Sequence, residues 1–495
     1  MKTMFIIMDS LNRHYLSCYG GQGVRTPNID RLAARGVVFD NHYSGSLPCM
    51  PARRDMMTGR LNFLEAPWGP IEPWDDCLPN LMRTGSGTYS HMITDHYHYF
   101  HSGGEVYHTL FDSYEFERGQ EGDRWKPMVE IDRLPERPKG KEELLRFYEA
   151  NRRSMDTEAD ESYPTPRCFM RAMEFLERNH TADNWHLHLE VFDPHEPFDC
   201  PERYTRMYDD EWAAAHFTWP EYAPIDPKKD DGKTIAHIRK CYAGALTMAD
   251  VWLGKLLDTM DRLELWDEVN LVFTTDHGHL LGEHGYWAKN YMFDYEELSH
   301  IPLIVCSPSG AAGRSAALTT TIDLMPTFLE LHGTAIPPGV QGRSMRPLLG
   351  RPSADPHALH DAILFGYFGK DINLFDGRYT YCRQPLPGSV VHHHTAMPRG
   401  FFDFVDRRLL ADAEVGTFLA HCHGIPHYRI TVPSQPHLHA TDFNPIYDVT
   451  VDPGQTRPVK DPEIETFLAS KMSKLLSEYG APACQFERTG LDRKG

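Results

Sequence analysis

Four strand-like runs in this chain each end on an aspartate. They are Phe5-Ile6-Ile7-Met8 before Asp9, Thr88 to Thr94 before Asp95, Trp185 to Phe192 before Asp193, and Val269 to Thr275 before Asp276. Short apolar runs without a helical period read as buried strands of a parallel sheet. Open α/β sheets take their ligands beyond the carboxyl ends of such strands. Asp9, the Asp95-His96-Tyr97-His98 stretch and Asp276-His277 are therefore expected along one edge.

Helical segments separate the runs. Thr26 to Ala33 reads as a helix capped by Thr26, with Ile29, Leu32 and Ala33 inward and an end near Gly36. Ile235 to Met260 places Ile238, Tyr242, Leu246 and Met248 at helical spacing, and Val37-Val38-Phe39 supplies a further strand. At 495 residues the chain has room for a large α/β domain and a smaller second one. The expected boundaries are 1–362 and 363–495, joined through the Pro/Ser/Ala/Asp-rich stretch Arg351 to Ala362. Residues from about 128 to 166 are charged and proline-rich and read as an insertion, with Lys139 to Arg152 a solvated helix. In the second region, Tyr379-Thr380-Tyr381 and Tyr447-Asp448-Val449 suit a small antiparallel sheet, with a helix over Asp461 to Tyr479 packed on it.

Charge narrows the function. A formal net charge of −20 opposes nucleic acid binding, whose phosphates need a basic face. No apolar run reaches membrane-spanning length, so no membrane partner is expected. The ten cysteines have no paired spacing, and Met1 to Met8 lacks the length and cleavage site of a signal peptide. A reduced, cytoplasmic location is the expectation.

The stretch Gly45 to Arg60 carries the chemistry. It reads as a loop entering a helix, with Pro51 at the first helical position, Met56 and Met57 inward, and Gly59 ending the turn. Cys49 then stands just outside a helix N-terminus, where free N–H groups and the dipole favour an anion. Arg53, one turn on, is a fixed cation able to fork two oxygens of a tetrahedral anion.

Cys49-Met50-Pro51-Ala52-Arg53, closed by Thr58-Gly59-Arg60, resembles the signature of the formylglycine-dependent sulfatases of the alkaline phosphatase superfamily. The resemblance extends in order along nearly the whole chain, from Asp9 through Thr26 to Ala33, Asp323 to Gly333 and Gly342 to Leu349, to the stretch from Tyr447 to Pro453. It implies an alkaline-phosphatase-like catalytic domain with a mostly parallel central sheet, and a smaller C-terminal α+β domain with an antiparallel sheet. It implies that Cys49 is oxidised by a maturase to formylglycine, an aldehyde that hydrates to a geminal diol. Asp9, Asp276 and His277 would hold a divalent metal, calcium ahead of manganese, together with an oxygen at residue 49.

Many members carry a second acid directly after the first; here that position is Ser10, so a serine oxygen, Asn12 or water would complete the metal site. His98 matches the histidine of the family's Lys-X-His element, with His96 in place of the lysine. His195, in Pro-His-Glu-Pro-Phe, matches the histidine at the leaving group, and Lys289 matches the family's lysine after Gly282 to Ala288. The implied reaction is two-step: attack by a diol oxygen with His195 or Lys289 protonating the departing alcohol, then release of sulfate with His98 as base. Arg53 and Lys289 would stabilise charge on the sulfuryl oxygens.

The family's phosphonate monoester and phosphodiester hydrolases also have a neutral residue at the position of Ser10, and that activity is the alternative. A non-catalytic anion-binding relative, with Cys49 kept as a thiol, is the third reading. The expected substrate is a small organic or carbohydrate sulfate, and a homo-oligomer fits the same reading. His392-His393-His394 reads as a Pro/Gly-containing loop, and His421-Cys422-His423 with His427 as a second cluster. Neither has structural zinc spacing, and both are expected to form a lid facing the substrate.

Overall fold

The computed structural model describes residues 1–131, 134, 142–208, 212, 217–438 and 440–493. Its main sheet has eight strands in the order Gly313–Thr320, Val37–Tyr43, His300–Cys306, Val269–Thr274, Lys2–Met8, Trp185–Val191, Tyr89–Thr94, Ser113–Phe116. His300–Cys306 runs antiparallel to both neighbours and every other pair is parallel. Along Lys2–Met8, side chains alternate between two cores, as a period of two requires. Met4, Ile6 and Met8 face the helices Pro27–Arg35, Pro164–Asn179 and Gly232–Arg262, whereas Phe5 and Ile7 face Leu78–Ser86 and Leu324–Leu331. Burying each such side chain contributes about 1.5–3 kcal/mol. The sheet is the α/β layer expected.

Register turns this sheet into a platform. Met8 lies opposite Val191, Ile7 opposite Thr274, and Glu190 opposite Thr94. These four strands thus end level to within a residue, and the residues after them emerge at one rim.

Two local readings change. Thr26 stands at the helix N-cap but its side chain makes no capping bond; Asp250, from the long Gly232–Arg262 helix, accepts the N–H groups of Asn28 and Ile29 instead. The helix read from Lys139 is described over Glu142–Arg152, residues 139–141 lying outside the described ones. It is not solvated all round, because Leu145 and Tyr148 are buried with Trp219.

A second sheet has the order Ile446–Asp448, Tyr379–Arg383, Ile372–Phe375, Ile363–Tyr367, Ser46–Leu47. The Pro462–Glu478 helix covers it, burying Leu468, Met472 and Leu476 against Leu364, Leu374 and Tyr381. Its edge strand comes from far earlier in the chain: Ser46 and Leu47 pair in parallel with Gly366 and Tyr367. The segment leading into Cys49 is therefore gripped by the C-terminal sheet. His392 to His394 are not a loop. They lie in the strand Val390–Thr395, paired with His427–Pro433, and the β-branched Val390, Val391 and Thr395 explain why. Among the described residues no helix is long and apolar enough to cross a membrane.

Candidate active site

The helix that carries Cys49 spans Cys49–Thr58, two residues earlier than the Pro51 start read from the sequence. Pro51 is its third residue, where the missing N–H is still one of the first-turn donors without a helical partner. Gly59 closes the helix at φ 65°, in the left-handed region that favours glycine. Asp55, in mid-helix, fixes the approach: it accepts the Ser46 N–H at 2.6 Å, the Ser46 hydroxyl at 2.8 Å and the Asn62 N–H at 2.8 Å. A Cβ on Gly45 would stand 2.5 Å from the Asp55 carboxylate, so this crossing needs glycine.

Cys49 Sγ lies 3.2 Å from His277 Nε2. Ligand atoms of Asp9, Cys49, Asp276 and His277 all fall within 4.8 Å of one another, and all four residues are buried. His277 Nδ1 donates to the Gly278 carbonyl at 2.9 Å, so Nε2 is the bare nitrogen and points at the cluster. Burial, opposed by Asp276, pushes the His277 imidazole down to about 3, which keeps it neutral as a ligand must be. Burial, then the charge of Asp276, pushes Asp9 upward. Burial would raise Asp276 as well, but His277, Arg53 and Lys289 hold it well below the usual carboxylate range. Two carboxylates and an imidazole facing one point fit a divalent cation.

Ser10 completes this rim from a strained position. Its φ is 59°, its hydroxyl donates to Asp9 Oδ1 at 2.8 Å and accepts from Lys289 Nζ at 2.8 Å, and its N–H donates to Asp276 Oδ1. Asn12 is directed elsewhere: Oδ1 accepts the His14 N–H and Nδ2 donates to the His279 carbonyl. Burial works against the Lys289 ammonium, yet Cys49, Glu196, Asp9 and Asp276 hold its pKa above the ordinary lysine value.

Arg53 needs a correction. Nε donates to Glu190 at 2.6 Å, Nη2 to Asp9 at 2.7 Å, and Nη1 to Asp276 at 2.5 Å and the Cys49 carbonyl at 3.0 Å. With all three nitrogens committed, Arg53 orders the acidic cluster and does not fork substrate oxygens. Asp95 is also structural, accepting from Gln120, Thr165 and the Phe192 N–H.

His96 and His98 sit side by side, Nε2 of the first 3.3 Å from Nδ1 of the second, and His96 Nδ1 is 3.6 Å from Asp9. His195 Nδ1 donates to the Glu196 carbonyl at 2.6 Å, leaving Nε2 for other work. Burial lowers the pKa of all three imidazoles well below the ordinary value.

The histidine-rich clusters do not form the lid. His421 is bound to Glu65 and Arg60, and the His394 ring lies against those of His427 and Phe418. The C-terminal region reaches the site through Phe401, whose ring is 5.3 Å from His98 and 4.2 Å from Trp68.

Sequence reading missed three buried acids. Glu190 holds Arg53 and accepts the Tyr99 hydroxyl at 2.7 Å; Glu196 accepts the Tyr222 hydroxyl and lies 3.3 Å from His195; Glu121 lies 3.6 Å from His98. Only Glu196, inside Pro-His-Glu-Pro-Phe, had a local signal.

Asp276→Asn is expected to lose divalent metal and activity together, because an amide in this position keeps the shape but removes one of two charges facing the cation. Metal analysis of the purified variant checks this, and full metal content would remove Asp276 from the ligand set.

A metal-ready cluster thus lies on the carboxyl rim of a mostly parallel sheet, beside a residue at a helix N-terminus. The sulfatase family model matches residues 2–334, and the chain belongs to that family, whose members hydrolyse sulfuric esters. Over 417 residues it is 24% identical to the N-acetylglucosamine-6-O-sulfatase of Bacteroides thetaiotaomicron, covering 74% of each chain. Over 445 residues it is 27% identical to the multifunctional alkaline phosphatase superfamily protein PehA of Trinickia caryophylli, covering 77% of this chain and 83% of the relative. The crystal structure of the phosphonate monoester hydrolase of Agrobacterium radiobacter matches with a TM-score of 0.65 at 17% identity, over 97% of this chain and 96% of that one, and so shares the fold.

Proposed function

We propose that this sulfatase hydrolyses a small organic or carbohydrate sulfate through a formylglycine made from Cys49, with calcium held by Asp9, Ser10, Asp276 and His277. One observation carries the reading. Residue 49 opens the Cys49–Thr58 helix inside the group of Asp9, Asp276 and His277, with Sγ 3.2 Å from His277 Nε2, so a nucleophile formed there would sit against both the cation and the first-turn N–H groups. Sulfatases generally use a metal ion and formylglycine; when bound, the metal supplies Lewis-acid polarisation and a more acidic hydroxyl. The oxygen-rich donor set favours calcium over manganese.

The remaining roles fall to the protein's own groups. Lys289 holds a positive charge beside Ser10 and Cys49, where sulfuryl oxygens would lie. Lys289, held as an ammonium, protonates the departing alcohol, or His195 does so from Nε2 once the bound anion has drawn a second proton onto its ring. His98, with His96 beside it, takes a proton in the step that frees sulfate. Arg53 keeps Asp9 and Asp276 in place throughout. A reducing, cytoplasmic location belongs to the same reading, and the ten unpaired cysteines support it.

The neutral Ser10 supports a second reading, phosphonate monoester or phosphodiester hydrolysis by the same residues. Turnover of matched aryl sulfate, phosphonate monoester and phosphodiester substrates separates them: the sulfate is expected to give the highest kcat/KM, and a preference for either phosphorus ester would replace the first reading.

Substrate size follows from access. Cys49 is 2% exposed, Lys289 2% and His98 4%, so the site admits only a narrow end of any substrate. The net charge of −20 further repels a long polyanion. Sulfated mono- and disaccharides are expected to be better substrates than the polysaccharide they come from. Higher kcat/KM on the intact polymer would contradict the small-substrate assignment.

A further inference from the structure

We propose that Lys370 is the positioning residue of Lys289, and that one hairpin of the C-terminal region, Ile363–Phe375, sets the separation between residue 49 and the Lys289 ammonium. This rests on the sulfatase reading above, which gives Lys289 its work. The first arm of the hairpin lies beside the chain entering Cys49. Gly366 and Tyr367 pair in parallel with Ser46 and Leu47, and the Gly366 N–H donates to the Gly45 carbonyl at 2.9 Å. The turn and the second arm hold the chain leaving Lys289. Lys370 Nζ donates to the Asn290 carbonyl, and Asn373 Nδ2 donates to Asp294 Oδ2 at 2.7 Å.

The backbone at Lys289 shows why such a hold is needed. Ala288 has φ 65° and Asn290 φ 87°, so a residue with a Cβ stands in the left-handed region on each side of Lys289. Such residues are disfavoured and persist where the surrounding structure imposes them. On one side Trp287 and Ala288 pair with Leu281 and Leu280, and the Tyr291 hydroxyl closes the loop on the Trp287 carbonyl at 2.7 Å. On the other side the C-terminal region supplies the contacts: Lys370 to Asn290, and the Leu438 N–H to the Tyr291 carbonyl at 2.9 Å. Lys289 leaves this loop with Nζ 2.8 Å from Ser10 Oγ at the metal rim.

Lys370 is itself fixed. Its carbonyl accepts Arg488 Nη1 at 2.5 Å, and Arg488 Nε donates to Gln485 Oε1 at 2.6 Å. Gln485 Nε2 in turn donates to the Leu64 carbonyl at 2.6 Å, a few residues beyond the helix that begins at Cys49. Burial lowers the Lys370 pKa, while the carboxylates of Asp294 and Asp371 oppose that shift. Residue 49 and Lys289, far apart in sequence, are thus tied to one turn. A shift of this turn would move the positive charge relative to the atom that attacks, and errors of that kind are costly because catalysis depends on alignment. Lys370 acts through the Asn290 peptide and has no part in the bond changes.

The test uses full-length, matured, metal-loaded enzyme with 4-nitrophenyl sulfate and, as a probe that needs no turnover, inorganic sulfate. Lys370→Met is expected to lower kcat/KM by about 10- to 100-fold, the scale of a misplaced catalytic group, with metal content unchanged. Lys370→Arg, which can still donate to the Asn290 carbonyl, should recover part of the loss. A double-mutant cycle separates positioning from general weakening. In a Lys289→Met background, adding Lys370→Met should change kcat/KM by no more than about twofold, because the group it positions is already gone. Inorganic sulfate should raise the thermal midpoint of the wild type more than that of Lys370→Met. A crystal structure of Lys370→Met should show Lys289 Nζ moved away from Ser10. Where Lys370→Met does not fold, Lys370→Gln carries the same cycle. The full loss in both backgrounds, wild-type kcat/KM in Lys370→Met, or equal sulfate shifts would overturn the assignment. Absence of any sulfate ester turnover by the wild type would instead remove the sulfatase reading, and the sulfate shifts would still decide whether Lys370 places Lys289.

Discussion

Cys49→Ala is expected to fold normally, bind divalent metal, and lose sulfate ester turnover by roughly a million-fold, the loss typical when the nucleophile of a covalent mechanism is removed. Folding should survive because the change deletes one buried sulfur whose hydrogen-bonding partner is His277, and truncations of that size cost about 1 kcal/mol. Activity should not, because in the proposed reaction residue 49 supplies the attacking oxygen, with the Lys289 charge beside it. Cys49→Ser sharpens the point. It restores an oxygen able to attack but offers no second hydroxyl, so one turnover followed by arrest is expected. Sustained turnover by Cys49→Ser would refute a diol mechanism.

Arg53→Met should produce the largest loss of stability of any single change at the site. Asp9, Glu190 and Asp276 each present an oxygen to this one guanidinium, and all three acids are fully buried. Removing the cation leaves three carboxylates in a medium where their repulsion is poorly screened. Breaking a buried ion pair from one side costs about 3–5 kcal/mol. Saturating calcium should return part of that, because Asp9 and Asp276 belong to the group that would hold the ion and Glu190 does not. Denaturant midpoints with and without metal measure both quantities. A loss below about 1 kcal/mol, outside the range for a broken buried pair, would mean that the arginine does not hold the cluster together.

The legible part of this site was the part written locally. Asp9 and Asp276-His277 follow apolar runs whose strand ends the register brings level, and the spacing around Cys49 is a five-residue pattern. What remained hidden depends on partners far away in the chain. Asp250 caps a helix that begins more than two hundred residues earlier, and no spacing rule connects Asp250 to Asn28. Trp185 to Val191 alternates polar and apolar residues, as a half-exposed strand would, yet all seven are buried, because Thr3 meets His186 and Arg53 and Tyr99 meet Glu190. The role of Arg53 was misread for the same reason. A cation one turn after Cys49 looks available for substrate until three acids from three other segments are seen around it. The histidine run at His392 read as a loop because neighbouring proline and glycine outweighed Val390 and Val391, whose pairing strand lies beyond His427.

The central claim is that residue 49 is not a cysteine in the working enzyme. Mass spectrometry of the peptide spanning Ser46 to Arg53, from protein produced together with a formylglycine-generating maturase, tests it most directly. The account predicts the mass of the aldehyde or its hydrate at residue 49, with the converted fraction tracking sulfatase activity across preparations. An unmodified thiol in protein that nevertheless turns over sulfate esters would contradict it.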